Sequence, residues 1–330
     1  MWTDSGVLGQ TVAEMMAELC RPPLNHPWNA SSVLAVTMTG ELADCFESRR
    51  EGVKHILSQL AIVVPHGQCR VYAVDGLWMS VDQAIASPWL VAASNWHALA
   101  TWCLALRLDQ PGSYNAVMDV GSTTVDIIPV CNGQIQTAAQ TDRQRLELGQ
   151  LVYTGMERTP IHAIVRSLRV QGVRCPVIAE RFATIADANL VLDCVPEEPG
   201  NHDTADGRPR TRRFALARLA RMVGEDLDTL SETEICSLAR QICNVQAKQV
   251  ARALVRNLPG YSEVGLPAPN LRRCVLVVGH GNPLVARLRR LKMLQNVRFD
   301  FLDKRLGPAA ARCAPALAVA QLFRLEADGE

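Results

Sequence analysis

Asp119-Val120-Gly121-Ser122-Thr123-Thr124-Val125-Asp126 places two carboxylates, three hydroxyls and a glycine in eight residues. Apolar runs flank it, Ala116-Val117-Met118 before and Ile127-Ile128-Pro129-Val130 after. The pattern predicts a strand, a polar turn and a returning strand, with Asn132-Gly133 as the next hairpin turn. At such a turn amide N–H groups and hydroxyls converge on one point, and a glycine lets an anion approach the main chain. Asp119 and Asp126, on the two strand ends, can hold Mg²⁺ directly or through its waters. This is the chemistry of a phosphate or diphosphate site. The competing interpretation is an ordinary hairpin with a soluble turn.

A second candidate is Gly279-His280-Gly281-Asn282-Pro283, which follows the apolar run Cys274–Val278. Two glycines between a strand and a helix start make a seat for a ring or a phosphate. Leu284 stands where a dinucleotide fingerprint needs its third glycine, which argues against that motif. Asn282 is expected to cap the following helix, with Pro283 in its first turn. Arg287, Arg289, Arg290 and Lys292 on that helix read as a solvated face. A third candidate lies in the irregular segment 195–213, with acidic and small residues first and arginines after. It reads either as a solvated loop or as a lid, with Asp203 and Asp206 near a metal and Arg208 and Arg210 on a diphosphate.

The elements that must position these groups read as an α/β chain. Helices are expected over 6–20, 51–60, 88–106, 182–192 and 308–325, and strands over 32–37, 61–64, 69–74, 116–136 and 274–278. Ser231-Glu232-Thr233-Glu234 has the capping-box spacing and opens a long helix through Ile235, Leu238, Ile242, Val245 and Val250. His97, in the middle of an apolar helix, reads first as a core histidine, and Asn95 beside it as an amide in need of partners.

The chain has 330 residues, a net charge of +1 and 48% apolar residues. That length supports two domains and a large core. The charge gives no pull towards nucleic acid or an anionic membrane. No apolar run reaches the roughly 18 residues of a membrane span. Met1-Trp2-Thr3-Asp4 lacks the regions of a signal peptide, so a cytoplasmic protein is expected. Eleven scattered cysteines, without a C-x-x-C pair, read as reduced and mostly buried thiols.

Leu34-Ala35-Val36-Thr37-Met38-Thr39-Gly40-Glu41-Leu42-Ala43-Asp44, Asp119–Pro129, Leu151-Val152-Tyr153-Thr154-Gly155 and Asp203-Thr204-Ala205-Asp206-Gly207-Arg208-Pro209 resemble one group. It comprises the hydantoinase/oxoprolinase-like proteins of the tetrahydromethanopterin-linked C1 pathway. These lie in the sugar kinase, actin and chaperone-ATPase superfamily. The resemblance implies a two-lobed, actin/sugar-kinase-like (ribonuclease H-like) α/β fold. It places one lobe at 1–115, the lobe with the phosphate hairpin and the Gly-rich turn at 116–306, and a helix at 307–330 returning to the first lobe. Asp119, Gly121, Ser122, Thr123, Thr124 and Asp126 match the second phosphate motif, and Gly279 and Gly281 the ring-side turn.

Archaeal members of the group include the synthase that makes the aryl-ether link of methanofuran. The implied reaction joins a furan-methyl diphosphate to a tyramine-type phenol with release of diphosphate, using Mg²⁺. His97 and Asp44 are the candidates for the base. The implied partners are these small molecules, without nucleic acid or membrane, and a homo-oligomer is compatible with the sequence. Two alternatives are an ATP-dependent enzyme in the manner of oxoprolinases and a non-catalytic binder of phosphate ligands. The superfamily's first phosphate hairpin would lie upstream of Met1. Its absence implies either a misplaced start or a lost half of the anion clamp.

Overall fold

The computed structural model describes residues 6–106, 114–260 and 272–327, and Met1-Trp2-Thr3-Asp4 lies outside them. The chain is mixed α/β and divides into two compact units. The first comprises Met1–Pro111, Thr137–Arg145 and Cys313–Glu330, and the second Gly112–Gln136 and Leu146–Arg312.

In the first unit β1 (Leu34–Val36) pairs in parallel with β2 (Cys69–Tyr72), which pairs antiparallel with β3 (Trp78–Met79). The helix Arg49–Val63 starts at Ser48, whose side chain accepts from the Glu51 amide. It buries Val53, Ile56, Leu57 and Leu60. The 3.6-residue spacing of that stripe carries the helix through Ala61-Ile62-Val63, so no strand forms at 61–64. The helix expected over 88–106 is also interrupted: Pro88–Val91 and Asn95–Ala105 are separate, with Ala93 at a φ of 50° between them. Polar bonds cause the break. Val74 donates to the Leu90 carbonyl, and Ser94 Oγ donates to the Tyr72 carbonyl at 2.9 Å. The closing helix Ala314–Ala327 packs on Asn95–Ala105 and β1.

The second unit is built on a six-stranded sheet. Its strands are β4 (Ala116–Val120), β5 (Val125–Cys131), β6 (Gln134–Ile135), β7 (Leu151–Val152), β10 (Arg273–Gly279) and β11 (Val297–Phe301). The order is β11-β10-β4-β5-β6, with β7 also on β5; β10 runs parallel to β4 and β11, and β5 antiparallel to β4. Asn132 and Gly133 turn β5 into β6 with both φ values positive, as a type I′ turn requires. A separate hairpin is formed by β8 (Ser167–Val170) and β9 (Val173–Pro176).

The helix Glu232–Asn257 has the full capping box between Ser231 and Glu234. Its buried stripe packs Val250, Ala251 and Leu254 against Met118, Val120, Val125 and Ile127 of the sheet. Its first half joins Ile161, Leu168, Ile185, Leu190 and Leu219 in a second cluster. The cysteines differ from expectation. All eleven are free, but only Cys69, Cys103, Cys243 and Cys274 are buried, because most of the others lie on loops and element ends.

Segment 195–211 is fastened by charge. Arg218, fully buried on the helix Arg212–Arg221, meets Asp187 at 2.7 Å and Asp206 at 3.0 Å, and Arg221 reaches Asp206 at 3.2 Å. Burial pushes the Asp187 carboxyl up, against the pull of Arg218. For Asp206 desolvation also acts upward, but the bonds and charge of Arg218, with the Arg208 amide and Arg221, outweigh it and hold the carboxyl below its usual range. Breaking a buried pair from one side leaves an uncompensated charge. Arg218→Met should therefore lower unfolding free energy by about 3–5 kcal/mol in urea titration. Adding Asp187→Asn should recover part of the loss. An unchanged midpoint for the single variant would contradict this role.

Candidate functional site

The turn between β4 and β5 closes with the Gly121 amide donating to the Thr124 carbonyl at 2.9 Å. Strand register puts Asp119 directly opposite Asp126. Directly opposed residues of an antiparallel pair leave the same face of the sheet, so the two side chains are neighbours. Thr124 Oγ1 donates to Asp126 Oδ2 at 3.4 Å, and the Ser122 and Thr123 hydroxyls are 3.4 Å apart. Gly121, Ser122, Thr123 and Thr124 are all half-buried.

The carbonyls on the outer side of the turn are occupied by the segment 154–159. Met156 N donates to Gly121 O, and the Glu157 and Arg158 amides both donate to Ser122 O, each at 3.0 Å. Gly155 makes this contact sterically feasible. A Cβ there would sit 2.4 Å from the Ser122 carbonyl carbon and 2.5 Å from Thr123 N. The Gly155 amide donates to Thr159 Oγ1, and its carbonyl accepts from Gln246 Nε2 at 2.7 Å. Gln246 Nε2 also lies 3.0 Å from Thr154 Oγ1. Asn189 adds a further tie, donating to Met156 O at 3.3 Å and accepting from Arg287 at 3.2 Å. The Gly121, Ser122 and Thr124 carbonyls are thus taken, and the polar side chains of the turn are the half-buried hydroxyls, half-buried Asp119 and buried Asp126.

The turn after β10 lies against the same strand end. The His280 amide donates to Val120 O at 2.9 Å, and a Cβ on Gly279 would meet Val120 O at 2.4 Å and Asp119 Oδ1 at 2.9 Å. Gly281 packs on Val120 and Val277. Asn282 does not cap the helix Asn282–Leu288; it occupies the first helical position, and its amide donates to Asp303 Oδ2 at 3.1 Å. A cavity of about 250 Å³ opens here, bordered by Met156, Glu157, Arg210, Gly279, His280, Asn282, Asp303 and Arg312.

The other sequence candidates are placed differently. Arg210 is buried and pairs with Glu157 and Glu198, each at 3.4 Å. Asp203 borders a smaller polar cavity with Arg158, Arg181 and Arg210. The two Asp206 oxygens pair with Arg218 at 3.0 Å and Arg221 at 3.2 Å. Arg208 is exposed, 5.7 Å from the Phe214 ring. Arg289, Arg290 and Lys292 are exposed, as expected of a solvated face, with Arg289 donating to Phe299 O, whereas Arg287 is half-buried and reaches Asn189 and Cys194.

Asp44 and His97 belong to the first unit. Asp44 is exposed. His97 sits among Tyr72 and Trp96, with Nδ1 3.1 Å from the Tyr72 hydroxyl, and burial lowers its pKa and favours the neutral ring. Asn95, half-buried, opens the helix Asn95–Ala105. Gln246, Asn189, Asp187 and Asp303 are not singled out by the sequence pattern; only Gln246 carries a signal, as an amide on the apolar stripe of its helix. Glu41, buried and 3.7 Å from Arg49, goes unmarked too; burial pushes its carboxyl up against the pull of Arg49.

The sequence profile of the hydantoinase/oxoprolinase family matches residues 32–294. The chain belongs to that family. Within the family, it is 33% identical over 213 residues to the (4-{4-[2-(gamma-L-glutamylamino)ethyl]phenoxymethyl}furan-2-yl)methanamine synthase of Methanocaldococcus jannaschii, across 64% of this chain and 62% of the relative. It therefore spans less than two thirds of that relative's length. To the enzyme of the same name from Methanococcus vannielii it is 27% identical over 216 residues, 65% of this chain and 92% of the relative.

Among solved structures, nucleotide-free acetone carboxylase is similar with a TM-score of 0.49 and 14% identity, over 82% of this chain and 37% of that one. Component A of the Acidaminococcus fermentans (R)-2-hydroxyglutaryl-CoA dehydratase gives 0.30 and 15%, over 68% and 66%. The family match includes the hairpin, the 154–159 segment, Gln246 and the Gly279 turn, while Asp303 lies beyond it.

The residues present fit Mg²⁺. Two opposed carboxylates and hard hydroxyl oxygens suit an ion that takes one or two carboxylates and completes its shell with phosphate oxygens and water. Among the described residues no cluster of three or more His, Cys, Asp or Glu could hold a metal by protein alone. The packing of Gly155 makes a direct prediction. Gly155→Ala must displace Ser122, and binding of Mg²⁺-pyrophosphate measured by calorimetry should weaken by about tenfold or more, roughly the loss of one charge-assisted hydrogen bond. Equal affinity in a folded variant would separate the 154–159 segment from the anion seat.

Proposed function

We propose that this family member is an aryl-ether-forming transferase that joins a furan-methyl diphosphate to a tyramine-type phenol and releases diphosphate, in the synthesis of a methanofuran-like cofactor for tetrahydromethanopterin-linked C1 metabolism. The observation that carries the proposal is the β4–β5 turn. Its carbonyls are capped by the 154–159 amides, its hydroxyls are grouped, and Asp119 stands opposite Asp126. The two methanogen synthases of the same family supply the substrate class. A two-lobed actin/sugar-kinase-like architecture belongs to the same proposal.

The reaction breaks the bond between the furan-methyl carbon and the diphosphate oxygen, and the electron pair leaves with diphosphate. The phenol oxygen forms the new bond to that carbon and gives up its proton. The furan oxygen can stabilise the positive charge that develops on the carbon, so the barrier lies chiefly in separating charge. Preorganised donors aimed at the leaving oxygens lower such a barrier. Ser122 and Thr123 are the donors this chain offers, the Thr124 hydroxyl being turned to Asp126. Asp119 and Asp126 would hold Mg²⁺, which when bound neutralises part of the diphosphate charge. The capped turn keeps these groups in place before substrate arrives, so little reorganisation accompanies departure. The phenol proton passes to solvent water.

Asp119→Ala should cut kcat for diphosphate release by at least about a hundredfold, the scale expected for losing one electrostatic contact to the transition state. Its melting temperature should stay within a few degrees of the parent. Turnover equal to the parent in a folded variant would remove the hairpin from the reaction.

A further inference from the structure

Tyr153 stands between two contacts with the β4–β5 hairpin. Before it, Val152 pairs with Val125 at the end of the β7–β5 ladder. After it, Gly155 lies against Ser122 and Thr123, where a Cβ would be 2.4 Å from the Ser122 carbonyl carbon and 2.5 Å from Thr123 N. The Thr154 amide donates to the Val152 carbonyl at 2.7 Å, so the chain turns tightly around Tyr153 and leaves it 68% exposed. Two residues span at most about 7 Å, which keeps Tyr153 within short reach of the turn. The other described aromatic residues of the second unit, Tyr114, Phe182, Phe214, Phe299 and Phe301, are buried or half-buried. Their faces serve packing. The face of Tyr153 is open to a ligand.

We propose that Tyr153 is a catalytic residue whose ring face stabilises the positive charge on the furan-methyl carbon as diphosphate leaves. This rests on the transferase reading above and adds the group that meets the carbon end of the breaking bond. Ser122, Thr123 and Mg²⁺ act on the oxygen end, where negative charge collects. The carbon is one bond from the leaving oxygen, so its charge develops next to the turn. A carboxylate facing that carbon would compete with the phenol as nucleophile. An aromatic face attracts a cation through its quadrupole and forms no bond to it. The balance of the step is therefore unchanged: the C–O pair leaves with diphosphate, the phenol oxygen bonds to the carbon, and the proton goes to water.

Tyr153→Phe keeps the ring and should hold kcat for diphosphate release within about twofold of the parent. Tyr153→Leu keeps apolar bulk without a π face. It should lower kcat about three- to thirtyfold, the range of a cation–π contact, with a smaller effect on KM. Replacing Tyr153 by increasingly fluorinated phenylalanines should lower kcat step by step, because fluorine withdraws negative charge from the ring face. A packing role would not follow that series. A kcat for Tyr153→Leu equal to that of Tyr153→Phe, or a flat fluorine series, would overturn the assignment. If the parent releases no diphosphate, the transferase reading fails, and NMR of furfurylammonium binding with Mg²⁺-diphosphate present decides the Tyr153 question on its own. That probe carries its positive charge beside the same carbon. Binding weakened about threefold or more in Tyr153→Leu relative to Tyr153→Phe upholds the cation seat, and equal binding overturns it.

Discussion

Backbone contact between Gly155 and Ser122 is the constraint on which the second unit's site depends. A turn rich in hydroxyls is soft by itself, because its polar groups can satisfy one another or water. Here the carbonyls of Gly121 and Ser122 are taken by the amides of 156–158 at 3.0 Å, and that approach is open only to a residue without a side chain. Gln246 then holds Gly155 from the far side. It does so from the interior of the 26-residue helix whose remaining buried positions there are apolar. A single amide thus couples the packing of the 26-residue helix to the geometry of the β4–β5 turn. Rigid support of this kind is what preorganised electrostatic catalysis requires.

Charge does for the irregular segment what backbone contact does for the turn. Segment 195–211 has no extended ladder of its own beyond the bridge between Glu198 and Arg210. Its position follows from Asp206 on Arg218 and Arg221, and from Arg210 on Glu157 and Glu198. Glu157 belongs to the same 154–159 segment that caps the turn. The ion pairs and the turn are consequently one connected structure. Arg210 ties the two together through its ion pairs with Glu157 and Glu198.

Much of this was legible in the sequence because the signals were local. The hairpin follows from apolar runs around a polar turn and from Asn132-Gly133, and the long helix from Ser231-x-x-Glu234. Errors arose where distant partners decide. The interruption at Ala92–Ser94 is set by bonds to Tyr72 and Val74, about twenty residues earlier, and places the non-glycine Ala93 in the left-handed region. Asp187 and Arg218 lie 31 residues apart, so neither spacing nor composition could pair them. Asn282 looked like a cap because its helix begins there, yet its amide serves Asp303 across 21 residues. Gln246 was visible as a polar residue in an apolar stripe, and such an exception deserves a search for what it holds.

We propose that the β4–β5 turn stabilises a departing diphosphate rather than a transferred phosphoryl group. The direct measurement is ³¹P NMR of the parent protein with a furan-methyl diphosphate, a tyramine acceptor and Mg²⁺, without ATP, and with the mass of the organic product determined in parallel. Inorganic diphosphate should appear in step with an aryl ether. No diphosphate without ATP, and ADP with phosphate once ATP is added, would contradict it.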